Sequence, residues 1–170
     1  MKTEKALFAA GCFWGVQYYF DQVPGVVKTT AGYTGGETKN PHYDEVATRT
    51  TGHAEAVLVE FDPQKASYTV LLKQFFRMHD PAQVGGQGPD IGPEYRSAIF
   101  YFDQAQHAAA VKIRNQTQEK LNKPIATEIT PARPFYKAEE LSPKVYQEDR
   151  AGCLPHTVRA CSLTCTCLKK

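Results

Sequence analysis

The chain has 170 residues, 42% of them hydrophobic, which suits the core of one compact domain better than two. Its 20 Lys and Arg against 18 Asp and Glu leave a net charge of +2, giving no electrostatic footprint for nucleic acid or an anionic membrane. No apolar run approaches the roughly 20 residues of a membrane helix, and the stretch 6–10 is too short for most signal-peptide cores. A cytoplasmic protein that is monomeric and engages neither nucleic acid nor membrane is therefore expected.

Residues 5–10 read as a short buried strand. Gly11 allows a sharp turn, after which Cys12 opens a helix with Phe13, Val16, Gln17 and Phe20 on one face; Pro24-Gly25 ends it. Residues 26–33 have strand character, with Val27, Thr29 and Ala31 alternating, and 34–52 are loop-like, rich in Gly, Thr, Asn and Pro. Residues 53–61 form a strand whose odd positions, Glu55, Val57, Val59 and Phe61, share a face while Glu60 points the other way. Ser67 is a natural N-cap for a helix carrying Tyr68, Leu71, Leu72, Phe75, Phe76 and His79 at helical spacing. The Gly/Pro loop 80–93 is long enough to suggest function. A strand at 97–102, a capping box of Asp103 with Gln106 opening a helix to about 121, a strand at 126–130 and a short helix at 137–146 follow. The order implies an α+β two-layer sandwich with a ferredoxin-like mixed sheet and long loops. Residues 1–149 form the catalytic domain in this reading, and 150–170 a mobile, cysteine-rich tail.

The cysteines are distributed unevenly. Cys12 stands alone, while Cys153, Cys161, Cys165 and Cys167 crowd the end. An odd number with none in the middle suits exchange chemistry or a metal site better than static disulfides. At a helix N-terminus Cys12 would feel the positive end of the dipole and free amides, both favouring a thiolate below the free-thiol pKa of about 8.5. Phe13 and Trp14, the only tryptophan, would make a small apolar pocket suited to a methyl or thioether group. The competing reading is a small buried cysteine on an aromatic core helix.

Gly11-Cys12-Phe13-Trp14-Gly15 resembles the signature of the A-type peptide methionine sulfoxide reductases. The resemblance continues through Gly32-Tyr33-Thr34-Gly35-Gly36, Asn40-Pro41-His42-Tyr43, Thr51-Gly52-His53-Ala54-Glu55-Ala56-Val57, His79-Asp80-Pro81, Tyr95-Arg96-Ser97-Ala98 and Pro134-Phe135-Tyr136. It implies reduction of methionine S-sulfoxide, free or in proteins, by attack of Cys12 on the sulfoxide sulfur, as a repair after oxidation. By the same resemblance Phe13 and Trp14 hold the methyl group, Glu55 donates a proton to the sulfoxide oxygen, Tyr43 and Tyr95 hydrogen-bond that oxygen, and Asp90 supports the site. No metal or organic cofactor is implied. An acid on an apolar strand face loses hydration and stays protonated nearer neutrality, which suits Glu55 to proton donation. His53 and His79 read as structural hydrogen-bonders, although a triad of either with Cys12 is conceivable.

Reduction would leave Cys12 as a sulfenic acid. The tail resembles that of family members with two tail cysteines, which implies that Cys153 resolves Cys12, that Cys161 takes over the disulfide, and that thioredoxin or a similar dithiol resets the enzyme. The chain departs from the family pattern at 141–146, where a His-Gln pair is usual, and at Gly86 and Pro89, which replace polar residues before Asp90. Cys165 and Cys167 have no counterpart role. The alternatives are a non-catalytic thiol sensor or oxidised-methionine binding module, and a zinc site built from the tail thiols and His156.

Overall fold

A computed structural model describes residues 2–139. Strand β1 (Glu4–Ala10) lies inside a sheet whose backbone alternation puts Ala6, Phe8 and Ala10 on one face and Leu7 and Ala9 on the other. Helix α1 (Phe13–Asp21) follows, then β2 (Val26–Thr34), the short α2 (Tyr43–Ala47), β3 (Ala54–Phe61) and α3 (Tyr68–Met78). The loop beyond α3 holds a small hairpin of β4 (Gly86–Gln87) and β5 (Asp90–Ile91) and a 3-10 turn at Pro93–Tyr95. The described chain closes with β6 (Ser97–Tyr101), α4 (Gln104–Gln118), β7 (Glu128–Pro131) and β8 (Tyr136–Lys137).

The main sheet runs β7-β6-β1-β3-β2-β8. Its central four strands, with α1 and α3 as crossovers, have the ferredoxin-like order, fourth-first-third-second. All pairings are antiparallel except β6 with β7, which α4 joins as a parallel crossover. Helices α1, α3 and α4 cover one face: Phe20, Leu71, Leu72, Phe75 and Ile113 meet Phe8, Val57, Val59 and Ile99 there. Phe8 is the centre of this layer, stacked on Phe20 at 5.0 Å and on Phe75 at 5.3 Å. Each such buried side chain contributes roughly 1.5–3 kcal/mol. The other face, Leu7, Ala9, Ala54, Ala56 and Phe100, is shallower and is covered by Ala132 and Phe135 of the segment entering β8.

Local signals explain most element ends. Ser67 caps α3 by accepting from the Val70 amide. Asp103 caps α4 through the Gln106 amide at 2.8 Å. The Gln106 side chain reaches back to the Phe102 amide rather than to the cap itself, and its amide group also donates to the Lys5 carbonyl at 2.7 Å, fastening α4 to β1. Four expectations need correction. The loop 34–52 contains α2, whose His42 amide is taken up by Glu45 at 2.8 Å. Val27 is exposed, because a bulge between Val26 and Lys28 breaks the alternation in β2. The strand expected at 126–130 is β7 at Glu128–Pro131. Residues 136–137 are not the approach to a helix but β8, which pairs with Gly32 and Tyr33 at the sheet edge; the rest of that expected helix and the tail lie outside the described residues.

Candidate active site

Gly11 sits at φ +93°, a conformation L side chains rarely adopt, and a Cβ there would lie 2.9 Å from that of Gln87. The chain can thus turn from β1 into α1 with the β4–β5 hairpin pressed against the turn. Cys12 occupies the N-cap of α1 and is half-buried. The helix has no conventional side-chain cap. Its orphan donors are met by tertiary structure instead: the Phe13 amide donates to Glu55 Oε2 at 2.9 Å, forty-two residues away on β3. The amides of Trp14 and Gly15 face the Cys12 sulfur and favour its anion.

Despite those amides the thiol is not acidified. Burial pushes Cys12 up to about 12, the Glu55 carboxylate adds to this and Asp90 does so weakly, outweighing the two amides. This corrects the thiolate expected from the helix dipole. A partial charge of about +0.5 cannot offset both lost water and an adjacent carboxylate. Glu55 is itself only 3% exposed, between Val57 and the buried Tyr33 that pairs opposite it on β2. Burial pushes its carboxyl up to about 7; the Phe13 amide opposes, and Asp90 and Glu94 reinforce. The charge on Glu55 therefore bears directly on the ionisation of Cys12.

Aromatic groups surround this pair. Phe13 is buried, edge-on to the half-buried Trp14 at 5.0 Å and 5.8 Å from Tyr33. Phe13 thus backs Trp14, which presents the accessible aromatic surface. The Tyr43 and Tyr95 hydroxyls share a hydrogen bond, and both tyrosines are raised, first by burial and then by Glu55. Asp90 lies within electrostatic reach of Cys12, Glu55 and Tyr95. The fold thus brings Cys12, Phe13, Trp14, Tyr43, Glu55, Asp90 and Tyr95 together from α1, α2, β3, β5 and the 3-10 turn. Cys153 and Cys161 lie outside the described residues. Among the described residues, no group of three or more His, Cys, Asp and Glu is arranged to hold a metal ion, and no helix is long and apolar enough to cross a membrane.

Hydrogen bonding rules out both His53 and His79 as a base for Cys12. His53 Nδ1 accepts from the Gly36 amide at 3.1 Å, so Nε2 carries the proton and donates to the Thr38 carbonyl at 2.7 Å. His79 Nδ1 donates to the Phe75 carbonyl at 2.7 Å, leaving Nε2 to accept from Ser97 Oγ at 2.7 Å; Ser97 in turn accepts from Thr127. Both rings are spent on structure. A groove of 650 Å³ between α3 and α4, lined by Lys73, Arg77, Ile113 and Lys120 among others, shares no residue with the Cys12 cluster.

A family model described as peptide methionine sulfoxide reductase matches residues 4–165. The chain belongs to this family. It is 51% identical over 151 residues to the peptide methionine sulfoxide reductase MsrA of Geobacter sulfurreducens, covering 88% of this chain and 93% of that one. It is 46% identical to the MsrA of Methanosarcina acetivorans over 92% of this chain and 84% of that one. Among solved structures, methionine sulfoxide reductase A of Corynebacterium diphtheriae superposes with a TM-score of 0.83 at 36% identity, covering 94% and 82% of the two chains. Mxr1 of Saccharomyces cerevisiae in complex with Trx2 superposes with a TM-score of 0.62 at 28% identity, covering 82% and 84%. The protein is thus a methionine sulfoxide reductase in reaction as well as in fold.

Several residues that shape this reductase site carry no local signal. Gln87 is buried and exchanges two hydrogen bonds with the Asp80 backbone, holding the hairpin against Gly11. Glu94 is buried beside Tyr95; its Oε1 meets Arg49 Nε at 3.3 Å, while Arg49 also donates to the Ile91 carbonyl at 2.6 Å. Tyr33 sits inside a recognised motif, yet only pairing with β3 sets it against Glu55. Glu139 reaches α2 from beyond β8.

Proposed function

We propose that the Cys12 sulfur attacks the sulfur of methionine S-sulfoxide, free or within proteins, while Glu55 gives its proton to the sulfoxide oxygen. The oxygen passes to Cys12: the substrate sulfur is reduced by two electrons to the thioether, and Cys12 is oxidised by two to the sulfenic acid. Tyr43 and Tyr95 hydrogen-bond the oxygen as it gains charge. Trp14, backed by Phe13, receives the substrate methyl, and Asp90 helps keep Glu55 protonated. The observation that carries this reading is the 2.9 Å bond from the Phe13 amide to Glu55, which ties a buried acid to the turn that bears the thiol. Glu55→Gln should slow the chemical step about 10²–10⁴-fold in single turnover, the usual worth of a general acid. Glu60→Gln, on the opposite strand face, should leave it within twofold; equal losses would refute the assignment.

The second half of the cycle belongs to the tail, residues 150–170, appended to the catalytic domain. The Cys153 thiol condenses with the sulfenic acid, releasing water and forming a Cys12–Cys153 disulfide. Cys161 then exchanges with it, and an external dithiol takes up the disulfide. Support comes from the yeast relative in complex with Trx2, a thioredoxin, and from a thiol economy that suits the reducing cytoplasm. Cys153→Ser should cut the thioredoxin-supported rate while sparing the single-turnover yield of methionine. An unchanged steady-state rate would show that Cys153 is not the resolving thiol.

A further inference from the structure

Glu139 stands two residues past β8, outside the motifs quoted above, yet its carboxylate meets three donors, two at the start of α2 and one on β2. Oε1 accepts from the Tyr43 amide at 3.0 Å and lies 2.9 Å from His42 Nδ1. Oε2 accepts from the Tyr33 hydroxyl at 3.2 Å. Burial alone would raise this carboxyl, but its own amide, the Tyr43 amide, His42 and Tyr33 together hold it below the usual carboxylate range. It is therefore anionic across the working pH range, and bonds to an ionised acceptor are about twice as strong as neutral ones.

The surrounding backbone delivers the carboxylate to this place. The Tyr136 carbonyl and the Phe135 ring lie against Gly32, where any Cβ would fall 2.3 Å from that carbonyl. The Ala138 amide then donates to the Ala31 carbonyl at 3.0 Å. The antiparallel pairing thus runs from Tyr33–Tyr136 to Ala31–Ala138, and the next side chain, Glu139, reaches the first turn of α2. That helix has five residues and packs few of them, with only Val46 buried. It cannot hold Tyr43 on its own.

We infer that Glu139 is a positioning residue, whose carboxylate fixes Tyr43 by its backbone and Tyr33 by its hydroxyl and so sets the aromatic wall facing Cys12. This rests on the role proposed above for Tyr43. It also makes the start of the C-terminal segment part of the site, because the chain that leads to the other four cysteines departs from the residue that holds Tyr43.

The test is a kinetic double-mutant cycle on the full-length protein with methionine sulfoxide and dithiothreitol, which bypasses the tail's partner. Glu139→Ala should lower kcat about tenfold with KM within twofold, the pattern of a misplaced group that acts in the transition state. Glu139→Gln keeps an acceptor for the Tyr43 amide and should retain at least half of kcat. In a Tyr43→Phe background Glu139→Ala should cost less than twofold further. Several outcomes overturn the inference: kcat within twofold of wild type in Glu139→Ala, equal losses in the Ala and Gln variants, or the same penalty in both backgrounds, as a general folding defect would give. If Tyr43→Phe alone left kcat unchanged, the role of Tyr43 would fall and this inference with it. A drop in Tyr43→Phe with none in Glu139→Ala would sink this inference alone.

Discussion

The chemistry of the site turns on a proton shared between two groups. Glu55 and Cys12 sit at about 7 and about 12, so the abundant form above pH 7 is the thiol with the carboxylate. The form that the proposed reaction uses, thiolate with carboxylic acid, has the same number of protons and is a constant minor fraction of that state. Its population therefore rises tenfold per pH unit up to about 7 and is level above it. For the wild type, kcat/KM, which reports the free enzyme, should climb to a plateau near pH 7. In Glu55→Gln the charge that raises the thiol is gone and only Cys12 titrates, so kcat/KM should keep rising with pH past 7, from a much lower base. A wild-type profile that falls as pH rises through 7 would contradict the coupled pair. The motif around Cys12 and the odd-numbered face of β3 were both legible in the residues. The height of the thiol pKa was not, because it depends on a carboxylate carried by a different strand, β3, and on the water that both groups lose.

Among the elements, the small ones govern the site. β8 is two residues long, and its hold on β2 depends on the absence of a side chain at Gly32. Gly32→Ala should force the Phe135–Tyr136 backbone away, cost about 1–3 kcal/mol by overpacking, and lower kcat by loosening the segment that ends in Glu139. Thermal denaturation together with turnover checks both, and an unchanged melting temperature would show that the edge strand is not seated as described. The longer elements were readable because their signals are local: Ser67 and Asp103 as caps, and helical spacing of Leu71, Leu72, Phe75 and Phe76. β8 and α2 were not, since two paired residues or one and a half turns of helix carry no periodicity. Their stability comes from partners elsewhere in the chain.

Over the whole molecule, pH should act on stability through His79. Burial pulls its imidazole down to about 4 from 6.5, against smaller opposing effects of the Phe75 carbonyl and Asp80. The unfolded chain takes up a proton on this ring below 6.5, whereas the folded protein resists until about 4. Stability contributed by the neutral ring is therefore complete above 6.5 and is lost as pH falls toward 4. Between pH 7.5 and 5 the loss is on the order of 2 kcal/mol. Glu55, raised to about 7 from 4.5, gains stability over the same fall in pH and offsets this loss in the wild type, so urea unfolding should show it as the difference in pH dependence between the wild type and His79→Gln, which keeps one donor and one acceptor but cannot protonate. Equal slopes for the two proteins would mean that His79 does not govern the acid limb.

The residues by themselves determined the α+β order of elements, the motif that sets Cys12 beside its aromatic neighbours, the face of β3 that carries Glu55, and the family, because each depends on contiguous pattern or spacing. Tertiary structure alone decided the protonation of Cys12, the capping of α1 by Glu55, the hairpin pressed on Gly11 and the tie from Glu139 to Tyr43. Those depend on distance through space and on exclusion of water, and neither quantity exists until the sheet has paired.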